Sequence, residues 1–209
     1  MKIIRCGVFV VTCFVVLCLA SIGLVTAAPV ISVDVDPLTF GIQSELRLVV
    51  GMPLTVDIVI SGVDVASPLN AFGFDLDFAP LLLDPSGGVG GGFLLPTVLV
   101  IESDLTAPDV NFAESTLGPL GATGSGILAT IHFDTLGVGT SVLDLNDVLL
   151  SAPFGVPIIP VSINDAMVTT MATAVPLPPT LFLFASGIGL LGARLRKKNS
   201  RLRPQPTWK

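Results

Sequence analysis

Apolar and polar residues alternate through most of the chain between Val30 and Met171, and this pattern constrains the fold more than any other feature. Successive side chains of a β-strand point to opposite faces, so a period of two places every second residue in a core. No long helical period interrupts the alternation. The residues predicted to face inward are Ile31, Val33, Val35, Leu54, Val56, Ile58, Ile60, Phe72, Phe74, Leu76, Phe78, Ile127, Ala129, Ile131 and Phe133.

Turn-forming residues separate these predicted strands. Examples are Ser61-Gly62, Ala79-Pro80, Gly137-Val138-Gly139 and Ala152-Pro153. Glycine tolerates positive φ angles and proline fixes φ, which is what tight turns require. Many short strands joined in this way within one domain length predict an all-β fold, an antiparallel sandwich or jelly roll with few helices.

A glycine-rich run extends from Ser86 to Gly92. A phosphate-binding loop of this composition would lead into a helix that carries lysine and serine or threonine. Here Phe93-Leu94-Leu95-Pro96 follows instead. We therefore expect a flexible surface loop.

Residues 1–27 have the pattern of a secretory signal peptide. Lys2 and Arg5 precede an apolar run, and the small residues Ala27 and Ala28 follow it, which allows cleavage after either alanine. All three cysteines, Cys6, Cys13 and Cys18, lie in this segment. The exported body, residues 28–174, would therefore fold as one domain without disulfides, and a domain of its length buries ~68 to 70% of its unfolded surface.

The C-terminal part combines a proline cluster, an apolar run and a basic block. Residues 180–193 carry no charge and precede the basic block, an order that leaves the basic end in the cytoplasm. A membrane helix is predicted at about 180–195, followed by a basic cytoplasmic tail at 199–209. Its ~14 to 17 apolar residues reach only ~21 to 25 Å of a ~30 Å hydrocarbon core, so the anchor is marginal.

This C-terminal part, residues 175–198, resembles the PEP-CTERM sorting signal of Gram-negative bacteria in its Val-Pro-Leu-Pro variant. The matching residues are Val175, Pro176, Leu177, Pro178, Pro179, Arg194, Arg196, Lys197 and Lys198. The resemblance implies cleavage near the prolines by an exosortase-type membrane protease and delivery to the cell surface or extracellular matrix. Leu177 replaces the glutamate of the name motif, and Asn199 to Lys209 extend past the basic block. An ordinary C-terminal tail anchor is the alternative.

Charge is segregated along the chain. All 16 acidic residues lie between Asp34 and Asp165, where Arg47 is the single arginine and no lysine occurs. Phosphate recognition relies on basic patches, so this composition excludes nucleic acid as a partner. An acidic surface of this kind also keeps a domain soluble by mutual repulsion.

Several segments of the body resemble strands of cohesin domains. They are Ala71 to Phe78 with Leu81 to Asp84, Gly124 to Phe133, Val138 to Ser141, Asn146 to Ser151, and Asp165 to Thr169. The resemblance implies a jelly-roll sandwich of about nine strands related to carbohydrate-binding modules. Cohesins bind dockerin modules, but the sequence shows no motif that assigns a dockerin-contact surface here, and fold alone does not fix function.

Catalytic residue types are scarce in residues 28–174. His132 is the single histidine, and cysteine, tyrosine and lysine are absent, which removes most pairs of nucleophile and base. Strand parity places His132 on the same outward face as Asp134, a pair that could ligate a metal or transfer a proton. Nothing marks a carboxylate pair at the spacing of a glycoside hydrolase. We predict that the chain is not an enzyme.

Calcium and sugar sites are both weakly indicated. Calcium prefers clustered oxygen ligands, and the candidate groups are Asp144 with Asn146 and Asp147, Asp34 with Asp36, and Asp75 with Asp77. None matches an EF-hand loop, so no metal and no other cofactor is predicted. Sugar-binding modules stack sugars on exposed aromatic rings, and Phe112 and Phe154 are the aromatic candidates that parity does not place inward.

The sequence therefore predicts a non-catalytic β-sandwich that is exported across the inner membrane of a Gram-negative bacterium and sorted to the cell envelope. There it would act in adhesion or structural interaction, with a surface protein or extracellular polysaccharide as partner. A carbohydrate-binding module is the first alternative. A divergent glycoside hydrolase is the second.

Overall fold

The structure is a computed structural model of the 209-residue chain and describes residues 28–173, except 95, 97, 119 and 161, together with Thr180. The predicted signal peptide, the sorting motif and the basic tail lie outside the described residues. So does the predicted membrane helix, apart from Thr180. Among the described residues, no helix is both long enough and apolar enough to cross a membrane.

The described residues form β-strands and a short 3-10 turn at Pro153–Gly155. The strands are β1 (Val30–Asp34), β2 (Glu45–Val49), β3 (Pro53–Val63), β4 (Ala71–Asp77), β5 (Leu83–Gly90), β6 (Val98–Asp104), β7 (Asp109–Thr116), β8 (Gly124–Thr135), β9 (Gly139–Ala152), β10 (Val156–Ile158), β11 (Ser162–Asn164) and β12 (Ala166–Met171). The all-β prediction is confirmed. The strands outnumber the nine expected, because short pieces such as β10 and β11 pair separately with longer strands.

The strands pack as a sandwich of two sheets. One sheet has five strands in the order β11-β1-β3-β8-β5, and the other has seven, in the order β2-β12-β9-β4-β7-β6 with β10 added to β9. Most neighbours are antiparallel, as expected, but β1 with β11 and β2 with β12 are parallel pairs. Both parallel pairs involve an edge strand, so they add to the sandwich at its borders.

The core lies between the sheets and is made by the residues that alternation predicted. Phe72, Phe74, Leu76 and Phe78 are all buried. The rings of Phe72, Phe74 and Phe112 stack with centroids 6.1–6.3 Å apart, a favourable separation for aromatic pairs. Each such side chain contributes about 1.5 to 3 kcal/mol when fully buried, so period-two burial supplies the main stabilisation.

Alternation fails at one place in β8. Ile127 was predicted to face inward and Leu128 outward, but Leu128 is buried together with Ala129, and Ile127 is half-buried. The register between β3 and β8 shifts between Ile58 and Val59. An extra residue in one strand reverses the parity of everything before it, which explains the wrong prediction for Ile127 and Leu128.

Most of the glycine-rich run forms a strand rather than the predicted flexible loop. Its first part, through Gly90, belongs to β5 and pairs with β8. A Cβ atom at Gly90 would collide with the carboxyl of Glu114, and one at Gly91 would collide with Ile127. The glycines therefore allow close contact between segments, which is a second use of glycine besides flexible linkage.

Candidate functional site

The outer surface of β9, β4, β7 and β6 carries seven of the 16 acidic residues. We call this surface the acidic face, and its acidic residues are Asp75, Asp77, Glu102, Asp104, Asp109, Asp144 and Asp147. They come from four strands that are separate in sequence. Sheet pairing alone brings them together, because directly opposed residues share a face.

The register arranges the acidic face in rows across the strands. Asp77 lies opposite Asp109 on one side and Asp144 on the other. The next row holds Asn146, Asp75, Asn111 and Asp104. The third holds Leu149, Gly73, Ala113 and Glu102. The face therefore changes from carboxylates at one end to small and apolar side chains at the other.

Two asparagines lie between the carboxylates and bind them. Asn146 Nδ2 donates to Asp77 Oδ2 at 2.9 Å, and Asn111 Nδ2 donates to Asp109 Oδ2 at 3.1 Å. An amide donor next to a carboxylate offsets part of its electrostatic repulsion without adding positive charge. The face is thus ordered by its own hydrogen bonds and still strongly negative.

Asp75 occupies the middle of the acidic face. Burial raises the pKa of Asp75 above its ordinary value, and repulsion from Asp147, Asp109, Glu102 and Asp77 raises the pKa further. Both causes disfavour the charged form. A cationic group placed at this point would relieve the repulsion.

A bulge in β9 brings Asp147 into this surface. The register between β4 and β9 shifts between Gly73 and Asp75, and Asp147 has φ = 45°. Aspartate tolerates this left-handed region better than most residues. Asp147 is exposed beside Asp75 as a result, a placement that strand parity did not predict.

Small residues form the floor of a shallow depression next to Asp75. A Cβ at Gly73 would lie 3.4 Å from the Cβ of Ala113, so the floor is closely packed. The depression has a volume of about 480 Å³, and Asp75, Asp147, Glu102 and Leu149 are among the residues around it. It can accept a protruding side chain of a partner.

Of the candidate calcium groups, the pair Asp34 and Asp36 has a structural role. Within the described part of the chain, no group of three or more histidine, cysteine or acidic side chains could hold a metal ion. Asp34 Oδ1 accepts the backbone N–H groups of Asp36 and Gln43, both at 3.1 Å. Asp36 in turn accepts the Thr39 hydroxyl at 2.6 Å. Asp34 and Asp36 therefore organise the loop 36–44.

His132 lies on the outer surface of the five-stranded sheet, as parity predicted for His132 and Asp134. Its Nδ1 lies 3.2 Å from the hydroxyl of Thr55 on the neighbouring strand. This contact gives the imidazole a structural partner. The contact with Thr55 does not indicate a catalytic pair of His132 and Asp134.

The two aromatic candidates for sugar stacking differ in exposure. Phe112 is 2% exposed and belongs to the core, so its assignment as a sugar-stacking candidate is wrong; β7 alternates with Val110 and Phe112 inward. Phe154 is fully exposed. Phe40, also fully exposed, was not identified from the sequence because it lies in the loop 36–44, outside any alternating run.

The residues of the predicted sorting motif lie outside the described part of the chain. They are Val175, Pro176, Leu177, Pro178, Pro179, Arg194, Arg196, Lys197 and Lys198. Their assignment stays a prediction.

Comparison with known proteins gives a structural likeness but no sequence family. No family profile matches the chain, and the comparison with curated proteins finds no relative. The non-cellulosomal cohesin of the hyperthermophilic archaeon Archaeoglobus fulgidus matches with a TM-score of 0.55 and 14% identity, over 70% of this chain and 93% of that one.

Two bacterial cohesins give the same result. The sixth cohesin of scaffoldin B from Acetivibrio cellulolyticus, solved with a mutant Cel5 dockerin, matches with a TM-score of 0.55 and 10% identity over 69% of this chain and 99% of that one. The seventh ScaB type I cohesin from Pseudobacteroides cellulosolvens gives 0.54 and 16%, over 72% and 96%. At these identities the likeness establishes the fold: the described body is a cohesin-like β-sandwich.

Proposed function

We propose that this chain is an exported, non-catalytic module that binds a partner protein through the acidic face at the cell surface or in the extracellular matrix. One observation carries the proposal. The acidic face is a four-stranded surface with exposed, clustered carboxylates and a floor of small residues.

The chemistry of the acidic face favours a partner with lysine or arginine side chains. Burial raises the pKa of Asp75, and repulsion from the surrounding carboxylates raises it further, so a cation there gains attraction from several groups at once. Complementary charge of this kind increases association rates and selects among partners. Leu149 and the floor at Gly73 and Ala113 add apolar contact beside the charges.

The cohesins with this fold support a protein partner in preference to a small molecule. The scaffoldin B cohesin was solved in complex with a dockerin. This chain shares that fold, so the protein partner is proposed here by analogy, because fold alone does not fix function. The partner here is therefore described by its chemistry, as a protein with a basic, protruding segment.

Charge-removing variants test the acidic face. The bait is the purified mature protein, and the extracellular fraction of its own host supplies the partner. We expect the combined Asp75→Asn and Asp109→Asn variant to lose captured protein, because two charges of the acidic face are gone. The matched control is Asp84→Asn with Asp134→Asn, an opposed acidic pair on the other sheet. Equal capture by both variants contradicts the proposal.

Export and sorting rest on the sequence of the two termini. Residues 1–27 supply the signal peptide, and Val175 to Pro179 followed by the basic block supply the processing signal for an exosortase-type enzyme. Mass spectrometry of the protein recovered from the host surface tests both. A C-terminus near Pro176 to Pro179 supports sorting, whereas an intact Lys209 indicates a permanent tail anchor.

A carbohydrate-binding module is a second candidate because of Phe40. Its ring is fully exposed on a loop held by the Asp34 carboxylate and by a hydrogen bond from Gln43 Nε2 to the Phe40 carbonyl. A rigidly presented ring can stack on the C–H face of a sugar. Retention on polysaccharide in affinity electrophoresis, lost in Phe40→Ala and kept in Phe154→Ala, would favour this function over protein binding.

A further inference from the structure

Four segments at one end of the sandwich expose apolar side chains and contain no charged residue, and Asp77, Asp84, Asp109 and Asp134 lie at their border. We call these segments the neutral end; they are residues 49–52, 79–82, 135–139 and 170–173. Its exposed apolar residues are Val49 at 38%, Met52 at 53%, Leu81 at 85%, Leu136 at 55%, Val138 at 62% and Met171 at 43%.

Backbone hydrogen bonds join the segments of the neutral end. Val50 N–H donates to the Met171 carbonyl at 2.9 Å, and Leu136 N–H donates to the Leu82 carbonyl at 2.8 Å. The Thr135 hydroxyl donates to the Met52 carbonyl at 2.8 Å. The apolar side chains therefore project from a preorganised surface, so little conformational entropy is lost when they are covered.

The opposite end of the sandwich is also apolar, so hydrophobicity alone does not select a surface. Its exposed residues include Val65, Leu117, Leu120, Phe154 and Ile159. The two ends are connected by β3, which begins at Pro53 beside the neutral end and ends at Val63. Ten residue steps along this strand cover about 34 Å.

The exit point of the chain distinguishes the two ends. The described body ends at Thr173, two residues after Met171 of the neutral end. Only residues 174–179 separate Thr173 from Thr180, where the predicted membrane helix begins. Seven extended residue steps span at most about 25 Å. A membrane segment that begins at Thr180 would keep the neutral end within that distance of the bilayer, too short for the opposite end to reach it.

We propose that the neutral end packs against the surface of a lipid bilayer while the C-terminal segment is inserted. This inference rests on the membrane segment of the proposed function. Exposed Leu, Val and Met side chains enter the boundary between headgroups and acyl chains, as on interfacial proteins. The acidic body is repelled by anionic lipid, so the preferred surface is zwitterionic.

A fluorescent label measures this contact directly. The chain without residues 1–27 has no cysteine, so Val138→Cys and Leu120→Cys each accept one environment-sensitive dye. Both proteins are reconstituted into phosphatidylcholine vesicles and recovered by flotation. We expect a blue shift and quenching by a headgroup quencher for the label at position 138 and neither change at position 120.

Each other outcome has a distinct meaning. Floating protein with no shift at position 138, or with equal shifts at both positions, overturns the lipid contact and leaves the membrane segment intact. Protein that does not float overturns the membrane segment and with it this inference.

Charged substitutions provide a second test. Leu81→Asp with Leu136→Asp, in the Val138→Cys protein, should abolish the blue shift because each aspartate would have to be desolvated. Val65→Asp with Leu117→Asp is the matched control at the opposite end and should retain it. Circular dichroism confirms that each variant is folded. A shift that survives the first pair contradicts the proposal.

Discussion

The polar side chains on the two outer surfaces of this sandwich differ in their hydrogen-bond partners and in their charge. On the five-stranded sheet, the hydroxyl of Thr130 donates to the buried carboxylate of Asp57 at 2.6 Å, and the amide of Asn164 donates to the Ser32 hydroxyl at 3.0 Å. On the acidic face, carboxylates are opposed to other carboxylates, as Asp77 is to Asp109. The five-stranded sheet also opposes carboxylates, Asp34 to Asp57 and Asp84 to Asp134, but Asp34 and Asp57 accept hydrogen bonds within the fold. The acidic face gathers seven carboxylates on one surface.

This difference indicates which surface is available for binding. A polar group that already has a partner in the fold gains little from a new one, because the net contribution of a hydrogen bond is only about 0.5 to 1.5 kcal/mol. Clustered carboxylates instead gain from any cation that approaches. A cationic partner should therefore gain more binding free energy at the acidic face than at the opposite surface.

The largest effect on unfolding free energy is expected on the outer surface of the five-stranded sheet. Thr130→Val removes the hydroxyl that Asp57 accepts, and leaving a buried acceptor without its donor costs about 1 to 3 kcal/mol of unfolding free energy. Urea unfolding measures the loss. The control is Thr140→Val, whose exposed hydroxyl contacts only Thr169. Similar losses in the two variants would show that the Thr130–Asp57 hydrogen bond contributes no more stability than the exposed Thr140–Thr169 contact.

Stability should decrease as the pH rises from acid toward neutral. Burial raises the pKa of Glu114 above 4.5, and burial and repulsion raise the pKa of Asp75 above 3.8. Each folded-state pKa exceeds the unfolded one, so this stabilisation is complete below the ordinary values and disappears as pH rises through the raised ones.

Unfolding midpoints between pH 4 and 7 test the effect of these two groups. Glu114→Gln should flatten the pH dependence, because the buried amide cannot ionise. Glu45→Gln, at an exposed position in β2, is the control. An unchanged slope in Glu114→Gln would assign the dependence to the acidic face alone.

Removing one charge from the acidic face should stabilise the protein. Asp75→Asn lowers repulsion among opposed carboxylates, and cross-strand pairs of this kind contribute about 0.2 to 1 kcal/mol. Asp64→Asn is the comparison, since Asp64 accepts the Ala66 N–H at 2.7 Å in a turn and should lose stability. A loss in Asp75→Asn would contradict the repulsive description of the face.

The smallest expected effect is a salt-dependent change in pKa, which distinguishes repulsion from burial as the cause of a raised pKa. Salt screens exposed charges, with a Debye length of about 10 Å at 0.1 M and about 3 Å at 1 M. The pKa of Asp75 should therefore move toward its ordinary value at high salt, while the pKa of Glu114, which is raised by burial alone, should stay constant. Carboxyl NMR titrations at both salt concentrations report this. Equal responses would refute the separation.

The inward residues Leu54 to Ile60 of β3 and Phe72 to Leu76 of β4 could be predicted from sequence, because every second residue in these runs is buried. Prediction failed where a strand gains a residue. The shift near Leu128 reverses parity in β8, and the bulge at Asp147 turns a side chain into the acidic face. The sequence offers one weak signal for the second, an aspartate in a polar run, because aspartate tolerates positive φ.

The amino-acid sequence by itself determined the all-β class, the phenylalanine-rich core and the absence of basic side chains from most of the body, because these follow from local periodicity and composition. Only the tertiary structure decided that Asp75, Asp109 and Asp147 share one surface, and that Glu114 lies against Gly90. Contacts of this kind depend on strand order and register, which join residues far apart in sequence and leave no periodic trace in it.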